Sequence, residues 1–187
     1  MENPVITALW EIVDSLNANH VPYAVMGGLA VRAHAIPRPT NDVDLTIVCP
    51  HESFRALLKT WESACIHVPE IYLTGWLDRV AGMSLVKLKT KVSPEHFVDL
   101  DIFLCETEFQ RSLMSRRVEA SMDDARTLWV VSPEDLILLK LLANRPRDLI
   151  DVADVLFVQG ELDRAYMTHW ANQLKIDQRL QQALDAD

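Results

Sequence analysis

The chain has 187 residues, 49% of them hydrophobic, which is enough for one domain with a sizeable core or for such a domain carrying a helical extension. Its formal net charge is −9, so global charge draws no nucleic acid to it, and any such partner would need a local basic patch. No apolar stretch approaches the length of a membrane span; the longest, 136–143, is broken by Lys140.

In chain order, Ile6, Leu9, Trp10, Val13 and Leu16 recur at helical spacing and predict a helix over 5–18. That N-terminal stretch is acidic and amphipathic, with no basic leader, which predicts a cytoplasmic protein. Residues 23–26 read as a short strand ended by Gly27 and Gly28, and 29–35 as a short helix. Pro37 and Pro39 then force an extended segment before a strand over 43–49. Phe54, Leu57, Leu58 and Trp61 mark a helix over 51–64. Strands are predicted over 66–74, 84–91 and 97–104; in the second of these, Leu85, Lys87, Lys89 and Lys91 share one face.

The last third reads as helical, beginning with a short helix over 109–118. Ser132, Pro133 and Asp135 are a helix start. That helix runs to Ala143, another covers 147–157, and 161–184 supplies one or two more. The fold class is α+β: a mixed-sheet core over residues 1–107 and a helical portion over 108–187 packed against it.

Two acid pairs carry the chemistry. Asp42 and Asp44 are two apart at a strand start, so both face one side. Carboxylates held so close repel unless a proton or cation sits between them, and Mg²⁺ takes one or two carboxylates together with substrate phosphates. Asp99 and Asp101 share one face of the strand FVDLDIFL, where acids are costly unless satisfied. If the two strands are neighbours, one of these acids completes a three-carboxylate metal site, Asp99 in preference to Asp101. Alternatively, both pair with Lys87 or Lys89 across the sheet.

Glycines at 27 and 28 permit a tight turn and let a phosphate approach backbone N–H groups at a helix start. Arg38 and the Thr40 hydroxyl lie within reach of such a phosphate, with Arg38 preferred over Arg32. Lys140 has apolar neighbours on all sides of its helix. It either snorkels, meets an anion in a pocket, or pairs with Asp148 or Asp151.

Gly27 and Gly28, then Thr40, then Asp42, Val43 and Asp44 resemble the signature of the DNA polymerase beta-like nucleotidyltransferase superfamily. The resemblance implies that D-x-D coordinates Mg²⁺ and a nucleoside triphosphate (NTP) such as ATP, with a third acid, best matched by Asp99, from a later strand. Many members carry serine where this chain has Gly28. The run KLLANRPRDLIDVADVL is similar to the AbiEii-type toxin branch. By that match Lys140 contacts triphosphate and Asp148 sits near the nucleotide.

The leading expectation is Mg²⁺-dependent transfer of a nucleoside monophosphate (NMP) from an NTP to a hydroxyl of RNA, a protein or a small molecule, releasing pyrophosphate. Alternatives are an inactive nucleotide- or partner-binding protein of a toxin–antitoxin or defence pair, with an antitoxin-like partner, and a metal-dependent hydrolase. Nothing points to DNA.

The six histidines show no zinc-type spacing. Cys49, Cys65 and Cys105 read as core thiols of a reducing compartment. Lys87, Lys89 and Lys91 with Arg111, Arg116 and Arg117 form either a basic rim for RNA or a solvated edge.

Overall fold

A computed structural model describes residues 3–64, 66–122 and 126–186; Cys65 lies outside them. The elements run α1 (Pro4–Ala18), β1 (Tyr23–Met26), α2 (Gly27–His34), β2 (Asp42–Ile47), α3 (His51–Ser63), β3 (Ile66–His67), α4 (Glu70–Leu73), β4 (Asp78–Val80), β5 (Met83–Ser93) and β6 (His96–Leu104). There follow α5 (Glu108–Arg116), β7 (Val118–Ser121), β8 (Thr127–Val130), α6 (Pro133–Ala143), α7 (Pro146–Val158), α8 (Arg164–Leu174) and α9 (Asp177–Asp185). The strands form one mixed sheet in the order β3-β5-β6-β2-β1-β8-β7, with β4 paired to β5.

Strand alternation sorts the side chains into two cores. Val43, Leu45 and Ile47 of β2 and Leu100, Ile102 and Leu104 of β6 face Leu9, Ile12 and Leu16 of α1 and Phe54, Leu58 and Trp61 of α3. On the opposite face Met26, Met83, Leu85 and Phe103 pack under α6, whose Leu136 and Leu139 belong to the same cluster. The acids of β2 and β6 stand on this second face.

Two expectations are corrected. Residues 66–74 are not one strand: pairing ends at His67, and Pro69 precedes the short helix α4, which buries Tyr72. The last third is not wholly helical either. β7 and β8 form an antiparallel pair, and β8 runs parallel to β1. Strands from beyond residue 107 therefore extend the same sheet, and helix follows helix with no intervening strand among the described residues only from Pro133. Leu128 and Val130 are buried while Thr127 is exposed, a period too short to stand out in the sequence.

The start of α6 forms as its sequence predicts, with the Ser132 hydroxyl accepting from the Asp135 N–H at 3.2 Å and Pro133 in the first turn. Asn144, in the left-handed region at φ 52°, ends α6 and turns the chain into α7. This tight turn brings Lys140 of α6 against Asp148 and Asp151 of α7. The extended arm after α2 is tied to the same helix, with Arg147 Nη2 donating to the Pro39 carbonyl at 3.1 Å. Among the described residues no helix is long and apolar enough to cross a membrane. Cys49 and Cys105 are half-buried free thiols.

Candidate active site

The site begins with strand register. β2 and β6 pair in parallel with Asp42 opposite Asp99 and Asp44 opposite Asp101. β6 and β5 pair antiparallel with Asp99 opposite Lys89 and Asp101 opposite Lys87. Two rows result, each running acid, acid, lysine across three strands. The outer row is solvated: Lys89 meets Asp99 at 3.1 Å, and the Asp99 side chain is 60% exposed. In the inner row Lys87 Nζ donates to Asp101 Oδ2 at 2.8 Å, and the Asp101 side chain is 23% exposed.

Asp44 lies deepest. Burial, reinforced by the charges of Asp42 and Asp101, pushes its carboxyl up to about 7. Asp99, expected as the third carboxylate, is aligned with Asp42 at the outer end and does not line the cavity that holds Asp44 and Asp101.

Gly27 adopts φ +63°, and a Cβ there would overlap the Asp44 carboxylate. A side chain at Gly28 would collide with the Thr40 hydroxyl. Glycine at 28 and threonine at 40 therefore go together: where serine would bring a hydroxyl from the helix, Thr40 brings one from the facing arm. It donates to Asp42 Oδ1 at 2.7 Å.

Above these residues lies a buried ion network. Lys140, only 5% exposed, places Nζ 2.9 Å from Asp148 Oδ1 and 2.7 Å from Asp151 Oδ2. Arg38 donates to both oxygens of Asp151, at 2.6 and 2.7 Å. Arg145 donates from Nε to Asp148 Oδ2 at 2.6 Å, while its own backbone N–H reaches the same oxygen at 3.2 Å. Burial works to raise both acids. Arg145 and Lys140 outweigh it at Asp148, and Arg38 and Lys140 outweigh it at Asp151, so both carboxyls sit below their ordinary value. Three cations against two anions leave the cluster net positive, and Arg147 adds to it.

Two cavities flank the line from Asp44 to Lys140. One, of about 230 Å³, is polar and is lined by Gly28, Arg38, Thr40, Asn41, Asp42, Arg145 and Arg147. The other, of about 290 Å³, reaches Gly27, Asp101 and Lys87 and has apolar walls from Met26, Met83, Phe103, Leu136 and Leu139. Asp44, Lys140, Arg145 and Asp148 border both.

Sequence reasoning left out Arg145, although its signal was present as an arginine three residues before Asp148 at a helix start. Arg32 is exposed and borders neither cavity. Four of the six cations considered as an RNA rim are engaged within the protein. Lys87 and Lys89 are held by acids, Arg116 lies 3.2 Å from Glu134, and Arg117 stacks on Trp129.

Mg²⁺ suits Asp42 and Asp44, two hard-oxygen ligands on one strand face whose mutual repulsion a cation would relieve. Among the described residues no three acids, histidines or cysteines converge into a ready-made metal cage, so phosphate oxygens would have to complete the coordination.

The fold is that of nucleotidyltransferases. Solved structures sharing it include an antigenic nucleotidyltransferase-like protein from Paracoccidioides brasiliensis, 21% identical, covering 98% of this chain and 93% of its own, TM-score 0.55. ANT(2")-Ia in complex with adenylyl-2"-tobramycin is 15% identical, covers 94% and 95%, and has a TM-score of 0.58. The lincosamide antibiotic adenylyltransferase LnuA, lincomycin-bound, is 16% identical, covers 81% and 96%, and has a TM-score of 0.53. Comparison with curated proteins finds no significant match. Residues 8–184 match the family described as nucleotidyl transferase AbiEii toxin, type IV TA system, and the chain belongs to that family. It is a nucleotidyltransferase.

Because Asp44 holds its proton to about pH 7 when folded and loses it near pH 3.8 when unfolded, folding is penalised increasingly as pH rises between those values. Asp44→Asn is expected to stabilise the metal-free protein at pH 8 by about 1–3 kcal/mol. The gain should vanish below about pH 4 in urea titrations, and a pH-independent difference would contradict the assignment. Lys140→Met, which strands buried charge, is expected to cost about 3–5 kcal/mol by the same measurement. A loss below about 1 kcal/mol would show that the two arginines alone satisfy the aspartates.

Proposed function

We propose that this protein transfers an NMP from an NTP to a hydroxyl acceptor with release of pyrophosphate, using Mg²⁺. The single observation that carries this reading is the inner row, Asp44 beside Asp101, lying between a basic polar cavity and a second cavity. Asp42 and Asp44 would hold the ion, which when bound neutralises phosphate charge and polarises the phosphoryl group.

The chain's own groups supply the rest. Gly27 and Gly28 present backbone N–H groups at the start of α2, and Arg38, Arg145 and Lys140 steady the β and γ phosphates. Thr40 orients Asp42. Asp148 and Asp151 hold the three cations in place. Asp101 takes the role expected of Asp99, because it borders the cavity and its only hydrogen bond among the described residues is from Lys87 to Oδ2. The acceptor hydroxyl gives its proton to Asp101 as its oxygen bonds to the α phosphorus, and the bond from that phosphorus to the pyrophosphate oxygen breaks.

One structural neighbour is a lincosamide antibiotic adenylyltransferase and another is solved with adenylyl-2"-tobramycin, which supports ATP and a small hydroxyl compound as substrates here. Membership of a toxin–antitoxin family supports an antitoxin-like partner. A second reading, nucleotide binding without turnover, draws on the lysines that occupy Asp99 and Asp101.

The test uses α-labelled NTPs with Mg²⁺ and a pool of RNA, protein and small-molecule extract. Asp101→Asn is expected to lower transfer by about 100-fold or more with NTP affinity nearly unchanged, and Asp99→Asn to change it by less than about threefold. Equal effects of the two substitutions would overturn the role given to Asp101. Parent protein that binds NTP yet labels nothing would favour the second reading.

A further inference from the structure

The two cavities differ in chemistry, and the difference speaks to the acceptor. The group that removes the acceptor's proton must lie within hydrogen-bonding reach of it. Asp101 borders only the larger cavity, so the body of the acceptor belongs there. The walls of that cavity are Met26, Met83, Phe103, Leu136 and Leu139, with Val80 at its rim.

Its charges are already matched. Asp101 is held by Lys87 at 2.8 Å, and Asp148 by Lys140 at 2.9 Å and Arg145 at 2.6 Å. Asp44 is committed to the divalent cation in the transfer reading. A polyamine would thus find no unpaired carboxylate and would meet the side chains of Lys87 and Arg145. At about 290 Å³ the cavity is at the small end of small-molecule sites. The lysines that could have tracked a phosphate backbone away from it are spent on Asp99 and Asp101.

We infer that the acceptor is a small, uncharged alcohol whose reacting hydroxyl stands beside an apolar or aromatic surface. The hydroxyl faces Asp101 and the apolar part lies against Phe103 and Leu139. This inference rests on the nucleotidyl-transfer reading. The chemistry is unchanged: the alcohol oxygen bonds to the α phosphorus, its proton passes to Asp101, and pyrophosphate leaves.

The test is ligand-observed NMR on the full chain with Mg²⁺ and α,β-methylene analogues of the four NTPs. The probes are phenylpropanol as the neutral aryl alcohol, neamine as the polycationic amino sugar, and a short single-stranded RNA with a free terminal hydroxyl. Phenylpropanol is expected to bind at least about tenfold more tightly than either other probe. Val80→Glu at the rim and Leu139→Asn in the wall are each expected to weaken it by about fivefold or more. Binding of an NTP analogue by both variants shows that they are folded.

Tighter binding of neamine or of the RNA would overturn the inference in favour of that class. So would undetectable phenylpropanol binding, or binding indifferent to both substitutions, in protein that still binds an analogue. Parent protein that binds no analogue would overturn the transfer reading and the inference with it.

Discussion

The site depends on one register, the parallel pairing of β2 with β6 that sets Asp44 opposite Asp101. Side chains alternate along a strand, so a slip of one residue would turn either acid into the α1 and α3 core. The hydrophobic pattern forbids that slip. Val43, Leu45 and Ile47 on one strand and Leu100, Ile102 and Leu104 on the other are fully or almost fully buried on the opposite face. The same packing that stabilises the sheet therefore holds two carboxylates side by side on its other face. Burial and repulsion keep the deeper one protonated to about pH 7, which is the electrostatic mark of a place suited to a cation.

The second constraint is the buried network around Lys140. A lysine this deep needs partners, and Asp148 and Asp151 supply them one helical turn apart on α7. Those acids also orient Arg38 and Arg145 toward the polar cavity. Each aspartate thus links a buried cation to one at the cavity edge, coupling the helical cover to the arm and turn beside the acid-bearing face of the sheet. The arm carrying Arg38 and Thr40 is fastened through Arg38 to Asp151 and through Pro39 to Arg147. In the proposed function, the side chains that bind phosphate are also those that pack the helices on the sheet.

Much of this could be read from residues alone, because the signals were local. The D-x-D spacing, the glycine pair, the helix start at Ser132 and the apolar stripes of α1 and α3 each follow from rules spanning a few positions. Lys140, with apolar neighbours on all sides of its helix, pointed to a partner, and both aspartates named for it pair with it. What escaped depended on pairing between distant segments. Which acid of FVDLDIFL enters the cavity is decided by the stagger of β6 against β2 and by where α6 stops, and neither appears in the strand's own sequence. β7 and β8 are short enough that only their neighbours make them strands. The Thr40 hydroxyl opposite Gly28 joins two arms with no shared periodicity.

In the proposed reaction the bond between the α phosphorus and the pyrophosphate oxygen is the one broken. NTPs labelled separately at the α and γ phosphorus, followed through one reaction with the parent protein and Mg²⁺, show whether it is. The α label is expected to become attached to an acceptor while the γ label leaves as pyrophosphate. Label from the γ position on the acceptor, or inorganic phosphate as its product, would contradict nucleotidyl transfer at this site.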